Sequence, residues 1–69
     1  MRPDLIKARQ AKNMSQQELA EIVGVTRQAI CRLERGYMNG SERLWKSVST
    51  ALGARPEDLW HTDTKRASN

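Results

Sequence analysis

MSQQELAEIVGVTRQAICRLERG, residues 14–36, contains two short apolar-periodic runs separated by Gly24-Val25-Thr26. Ser15 followed by Glu18 fits a capping box, in which the serine oxygen and the glutamate carboxylate each satisfy a backbone donor at a helix start. The helix this predicts begins at Gln16 and runs through Leu19, Ala20 and Val23 to Gly24, a residue that takes a positive φ without steric cost. Thr26 then caps a helix over about residues 27–35, in which Ala29, Ile30 and Leu33 form an apolar stripe and Gly36 marks the end. Contacts between the two helices fall on Leu19, Ala20, Gly24, Val25, Ile30 and Leu33. Ala20 is small enough for close approach, and Ile30 and Leu33 bury the later helix.

The same signals recur on either side. Pro3 and Asp4 suit the first turn of a helix that places Leu5, Ala8 and Lys12 on one face, and Asn13 is a left-handed stop. Tyr37-Met38-Asn39-Gly40 reads as a loop, after which Ser41 caps a helix carrying Leu44, Trp45, Val48 and Leu52 at three- and four-residue spacing, stopped by Gly53. Pro56 starts a last short helix over Glu57–Trp60, whose Leu59 and Trp60 close the core. No segment alternates with period two, so the fold class is all-α: a five-helix bundle in one domain over residues 1–61. The tail at 62–69 lacks large apolar residues and is expected to be disordered.

At 69 residues the chain holds one small domain that buries roughly 60% of its unfolded surface, so a partner subunit would add stability. Twelve Lys and Arg against 8 Asp and Glu give a net charge of +4, a balance that favours a polyanion as ligand. The N-terminus is polar from its second residue and no stretch is able to span a bilayer, so the expected location is the cytoplasm and no membrane partner is expected. A single cysteine makes no internal disulfide, and one cysteine with one histidine falls short of a zinc site, so neither a metal nor a cofactor is expected. An enzyme would need Cys31 and His61 to meet without any acidic orienter, and no catalytic residue is assigned.

Two short helices joined by a glycine-containing turn constitute a helix-turn-helix over about residues 16–35. With Ala29, Ile30 and Leu33 turned inward, the later helix presents Arg27, Gln28, Cys31, Arg32 and Arg35 outward. Arginine matches the paired acceptors of guanine, and glutamine both donates to and accepts from adenine, so Arg27, Gln28 and Arg32 are the candidate base readers. Cys31 shares the face and either meets a thymine methyl or packs; a redox switch is the less favoured reading.

From about Leu5 to Trp60 the chain closely resembles the Xre/Cro-like (lambda repressor-like) helix-turn-helix family of DNA-binding domains, most of all in MSQQELAEIVGVTRQAICRLERG and ALGARPEDLW. The resemblance implies a compact five-helix bundle whose third helix lies in the major groove of double-stranded DNA while the start of the second abuts the phosphate backbone. It carries a phosphate contact to Gln16, through its amide and neighbouring backbone N–H groups, and places Arg35, Asn39, Arg43 and Lys46 where relatives touch the backbone. For Arg43 and Lys46 a solvated surface is an equal alternative. The family pattern also pairs Arg9 with Glu34 as a structural ion pair, removing the one acid from the groove-facing helix. Asn39-Gly40-Ser41 departs from the family's Asn-Pro-Ser, which implies a more flexible loop, and Glu42 stands where an apolar residue is common.

The function these readings support is sequence-specific recognition of a two-fold operator by a homodimer regulating transcription, most simply as a repressor, in a bacterial or phage-encoded, nucleoid-associated protein. Leu44, Trp45, Leu59 and Trp60 are the candidate dimer contacts, and Tyr37 is either a phosphate donor or a loop packer. The alternative is a protein-interaction module of antitoxin or anti-regulator type, for which DNA is secondary.

Overall fold

A hydroxyl side chain closes the start of three helices, α2 (Gln16–Val23), α3 (Arg27–Arg35) and α4 (Glu42–Leu52). Ser15 Oγ, Thr26 Oγ1 and Ser41 Oγ each accept the backbone N–H three residues on, at 3.0, 3.1 and 3.1 Å. At α2 the return bond is present too, Ser15 N–H donating to Glu18 Oε1 at 2.8 Å, so the capping box is complete. The first helix, α1 (Pro3–Ala11), opens on Pro3 and Asp4 instead of a cap. These elements come from a computed structural model that describes residues 1–61. Among those residues there is no β-strand, and the tail expected to be disordered at 62–69 lies outside them.

All four helices end in the same way. A residue with positive φ follows each one, Asn13 at 57°, Gly24 at 80°, Gly36 at 82° and Gly53 at 68°. The next N–H then reaches back five residues: Met14 to Arg9 O, Val25 to Ala20 O, Tyr37 to Arg32 O and Ala54 to Ser49 O. This satisfies carbonyls that a helix C-terminus leaves without partners.

The core is built from Leu5 of α1, Leu19 and Ala20 of α2, Ile30 and Leu33 of α3, Trp45, Val48 and Leu52 of α4, and Leu59 beyond them. Each fully buried leucine is worth about 1.5–3 kcal/mol of transfer free energy, so the small core is concentrated in a few side chains. Lys12 does not share the burial of Leu5 on its helix face: it is exposed, and its ammonium end lies over Gly53 at the C-terminus of α4, where a cation complements the helix dipole.

Among the described residues there are four α-helices, not five. In place of a helix over Glu57–Trp60 there is one 3₁₀ turn at Pro56–Asp58. Its bonds span three residues, Asp58 N–H to Arg55 O and Leu59 N–H to Pro56 O, both at 2.9 Å. Leu59 keeps right-handed helical angles, φ −113° and ψ −31°, as it enters the core; Trp60 N–H closes a single wider turn on Pro56 O at 3.1 Å, and the carbonyl of Trp60 is taken by Arg2 Nε at 2.9 Å.

The loop before α4 is packed against the core. Gly40 has φ of 75°, which the fixed negative φ of proline excludes. A Cβ there would lie 3.0 Å from Trp45 Nε1 and 3.1 Å from Leu33 Cδ1, so the glycine lets the loop close down on the core. Trp45 Nε1 donates to Asn39 O at 2.6 Å and locks that approach.

Candidate nucleic-acid interface

Thr26 and Gly36 delimit α3, and the burial of Ile30 and Leu33 orients it. Of the other positions of this nine-residue helix, Arg27, Gln28, Arg32 and Arg35 are exposed and Cys31 is half-buried; Ala29, expected in the inward stripe, is only half-buried and stands outside the core. Gln28, Cys31, Arg32 and Arg35 come together with Tyr37 around one shallow hollow. The Arg35 guanidinium is held above its ordinary value by hydrogen bonding to the Tyr37 side chain and then to Cys31, so it remains fully charged.

The only acid of α3, Glu34, is turned into the protein and 3% exposed. Arg9 donates Nε to Glu34 Oε2 at 2.5 Å and Nη2 to Oε1 at 3.3 Å, while Arg9 Nη1 donates to Met14 O at 2.7 Å. A buried carboxylate held this way leaves the outer face of α3 with cations and neutral groups alone.

Gln16 also belongs to this network, since its Nε2 donates to Glu34 Oε1 at 2.9 Å. That differs from an amide free to hold a phosphate, because one amide hydrogen is already committed inward. Within the first turn of α2, Ser15 and Glu18 occupy each other's backbone N–H groups, which leaves the N–H groups of Gln16 and Gln17 as its orphan donors. Gln16, Arg35 and Tyr37 border a second hollow with Arg9 and Glu34, so this helix start and the hollow on α3 adjoin through Arg35 and Tyr37.

The other expected contacts lie elsewhere. Arg43 and Lys46, both exposed, line a groove between α4 and the 3₁₀ turn with Trp45, Pro56, Glu57 and Trp60. Of the candidate dimer residues, Trp45 is 4% and Leu59 1% exposed, because both fill the domain's own core. They therefore offer little surface to a partner. Leu44 is half-buried, and Trp60, 43% exposed, meets the Trp45 ring edge-on with centroids 6.2 Å apart.

One residue escapes a reading of the sequence altogether. Arg2 is 3% exposed and bonds three separate segments, with its backbone N–H on Glu34 O at 2.7 Å and Nη1 on Leu33 O at 2.6 Å and Met38 O at 2.9 Å. Its Nε holds Trp60 O, and its guanidinium carbon stands 5.2 Å from the centroid of the Trp45 ring. Burial lowers its pKa from the ordinary arginine value. An arginine before Pro3 looks like any surface base, and carbonyl acceptors leave no mark in a sequence.

No helix among the described residues is long and apolar enough to cross a membrane, and these residues hold no cluster of three metal-binding side chains. What they do form is a helix-turn-helix unit with one basic, acid-free helix face. The helix-turn-helix family profile matches residues 5–59, and the chain belongs to that family. It is 41% identical over 63 residues to an uncharacterised HTH-type transcriptional regulator of Archaeoglobus fulgidus, covering 91% of this chain and 90% of the relative. A similar regulator of Methanothermobacter thermautotrophicus is 41% identical over 64 residues, covering 91% and 93%. Among solved structures, the clp gene regulator ClgR from Corynebacterium glutamicum is similar, with a TM-score of 0.74 and 38% identity over 80% of this chain. The match spans 58% of that regulator's length.

Proposed function

We propose that this protein is a sequence-specific double-stranded DNA-binding transcriptional regulator, with residues 1–61 as its DNA-binding domain and α3 as the element that enters the major groove. The observation that carries this is the outer face of α3, where Arg27, Gln28, Arg32 and Arg35 stand exposed while the helix's one acid is buried on Arg9. Arg27 and Gln28 occupy the N-terminal turn, the end that penetrates deepest, and Arg32 follows one turn later. Cys31 completes the face as an apolar contact to a thymine methyl. Gln16, through its backbone N–H and remaining amide hydrogen, holds a phosphate at the start of α2, and Arg35 and Asn39 hold phosphates beside α3. Arg43 and Lys46 extend the positive surface to flanking phosphates.

A single module makes few base contacts, so we assign a homodimer to a two-fold operator, with half-sites about 34 Å apart. Trp60 and Leu44 supply its apolar contact, now without Trp45 and Leu59. Occupation of a promoter by such a dimer represses transcription, and DNA as the ligand puts the protein on the nucleoid in the cytoplasm.

Selection of bound fragments from random DNA at moderate salt tests the reading. A recovered two-fold sequence is expected, with Arg27→Ala and Arg32→Ala each weakening it by about 1–3 kcal/mol without loss of fold. Affinity is expected to fall with salt by a log–log slope of about −0.9 per neutralised phosphate. Enrichment of no sequence, or unchanged affinity in both variants, overturns the assignment.

A further inference from the structure

We infer that Arg2 is a positioning residue for the DNA-facing end of α3 and the loop after it, an inference that rests on the DNA-binding reading above. The side chain carries a full charge into the domain, yet among the described residues it has no carboxylate within salt-bridge reach. Apart from the Trp45 ring, every partner it has is an oxygen of the chain segments it joins. Leu33 O and Glu34 O belong to the last turn of α3, where carbonyls lack helical partners and a cation complements the dipole. Met38 O and Asn39 Oδ1, the latter at 3.5 Å, belong to the loop, and Trp60 O belongs to the end of the described chain.

Asn39 is held from two directions as a result. Trp45 Nε1 takes its backbone carbonyl, and the Arg2 guanidinium stands beside its side-chain oxygen. A guanidinium has donors only, so it accepts Oδ1 as a neighbour and refuses Nδ2. The two N–H donors of the exposed Asn39 amide are thereby turned away from Arg2, toward solvent, which is the orientation a phosphate oxygen needs. Arg2 itself, almost without surface, touches no DNA. A lysine cannot replace it, because one ammonium on a flexible stem does not reproduce a planar fork spread over Leu33, Met38 and Trp60.

The test combines Arg2→Lys with Asn39→Ala, using the full chain and an operator fragment recovered by selection, at a temperature where circular dichroism shows both variants as helical as wild type. Arg2→Lys is expected to weaken the operator about tenfold with an unchanged salt slope, since no phosphate contact is lost. Asn39→Ala is expected to cost about fivefold in the wild-type background but under about twofold beside Arg2→Lys, the non-additivity of residues acting as one unit. A merely stabilising Arg2 would lower the unfolding temperature and leave the folded protein's affinity alone.

Should Arg2→Lys fail to fold, labelled wild-type protein gives the answer by NMR. The Arg2 Nε–H resonance is expected to exchange slowly and hold its position when the operator is added, while the Asn39 amide resonances shift. Wild-type protein that retrieves no operator overturns the DNA reading and this inference with it. Wild-type binding with Arg2→Lys within twofold, with equal Asn39→Ala effects in both backgrounds, or with a still Asn39 amide, overturns this inference alone.

Discussion

Between α2 and α3 the chain turns through Gly24, Val25 and Thr26, and each contact that shapes the turn is local. Gly24 and Val25 donate back to Ala20 O, and Thr26 caps the next helix three residues on. Between α3 and α4, residues 36–41 are shaped by partners remote in the chain: Arg2 reaches Met38 and Asn39 across 36 and 37 residues. A Cβ added at Gly24 would meet nothing within 4 Å, whereas one at Gly40 would press on Trp45 and Leu33. The first junction is a backbone device that any compatible short sequence builds. The second exists only once the domain has closed around it.

The largest effect is expected just before the second junction, at Glu34, which is held by Arg9 and Gln16 from remote segments. Arg9→Ala leaves this buried carboxylate with Gln16 as its remaining side-chain donor and should destabilise the domain by about 3–5 kcal/mol in urea unfolding. A loss below about 1 kcal/mol would mean that the pair behaves as a surface ion pair and does not anchor the end of α3 from the remote segment that carries Arg9.

The two glycines sharpen the contrast directly. Both require a left-handed backbone, so alanine at either costs about 1–2 kcal/mol. Gly40→Ala adds the displacement of Trp45 and Leu33, an overpacking penalty of about 1–3 kcal/mol that Gly24→Ala escapes. Equal losses in parallel thermal scans would erase the distinction between an open and a packed junction.

The caps are expected to be indifferent to it. Thr26→Ala and Ser41→Ala each remove one helix-start acceptor, at about 1 kcal/mol apiece by chemical denaturation. A clearly greater loss at Ser41 would show that the remote junction relies on its cap as well.

The smallest effect belongs to the chain's far end. Hydrogen bonding from Arg55 lowers the Asp58 pKa from its ordinary carboxylate value. A group whose pKa is lowered on folding contributes stability above its unfolded value and loses it as pH falls through the folded one. Asp58→Asn should therefore lower the unfolding temperature slightly at neutral pH and match wild type in strong acid. Both partners are well exposed, so a difference of several degrees would be too large for this pair.

What was legible in the sequence follows the same divide. Ser15, Thr26, Ser41, Asn13 and the helix-ending glycines act within a few residues of themselves, so the ends of all four helices could be read from spacing. The outward set on α3 was equally readable, since the inward stripe of Ala29, Ile30 and Leu33 fixes it by helical geometry. The Arg9–Glu34 pair entered through family resemblance, because no local rule joins residues 25 apart. Arg2 had neither route. Its acceptors are mostly main-chain carbonyls, which every residue carries. Leu59 reads both as a core residue and as a dimer contact, and Trp45 and Trp60 are open in the same way, since an apolar position does not say whether its own domain or a partner covers it; Trp45 and Leu59 are buried and Trp60 is 43% exposed.

Arg27, Gln28 and Arg32 have no duty inside the domain: α3 is capped by Thr26, closed by Gly36 and anchored by Ile30, Leu33 and Glu34. On the base-reading role proposed for them, mutation at those three sites would redirect the protein to a new target without jeopardising its folding. A lineage carrying this scaffold is free to follow drifting binding sites through a handful of codons, while the residues that hold the helix in place stay under separate selection.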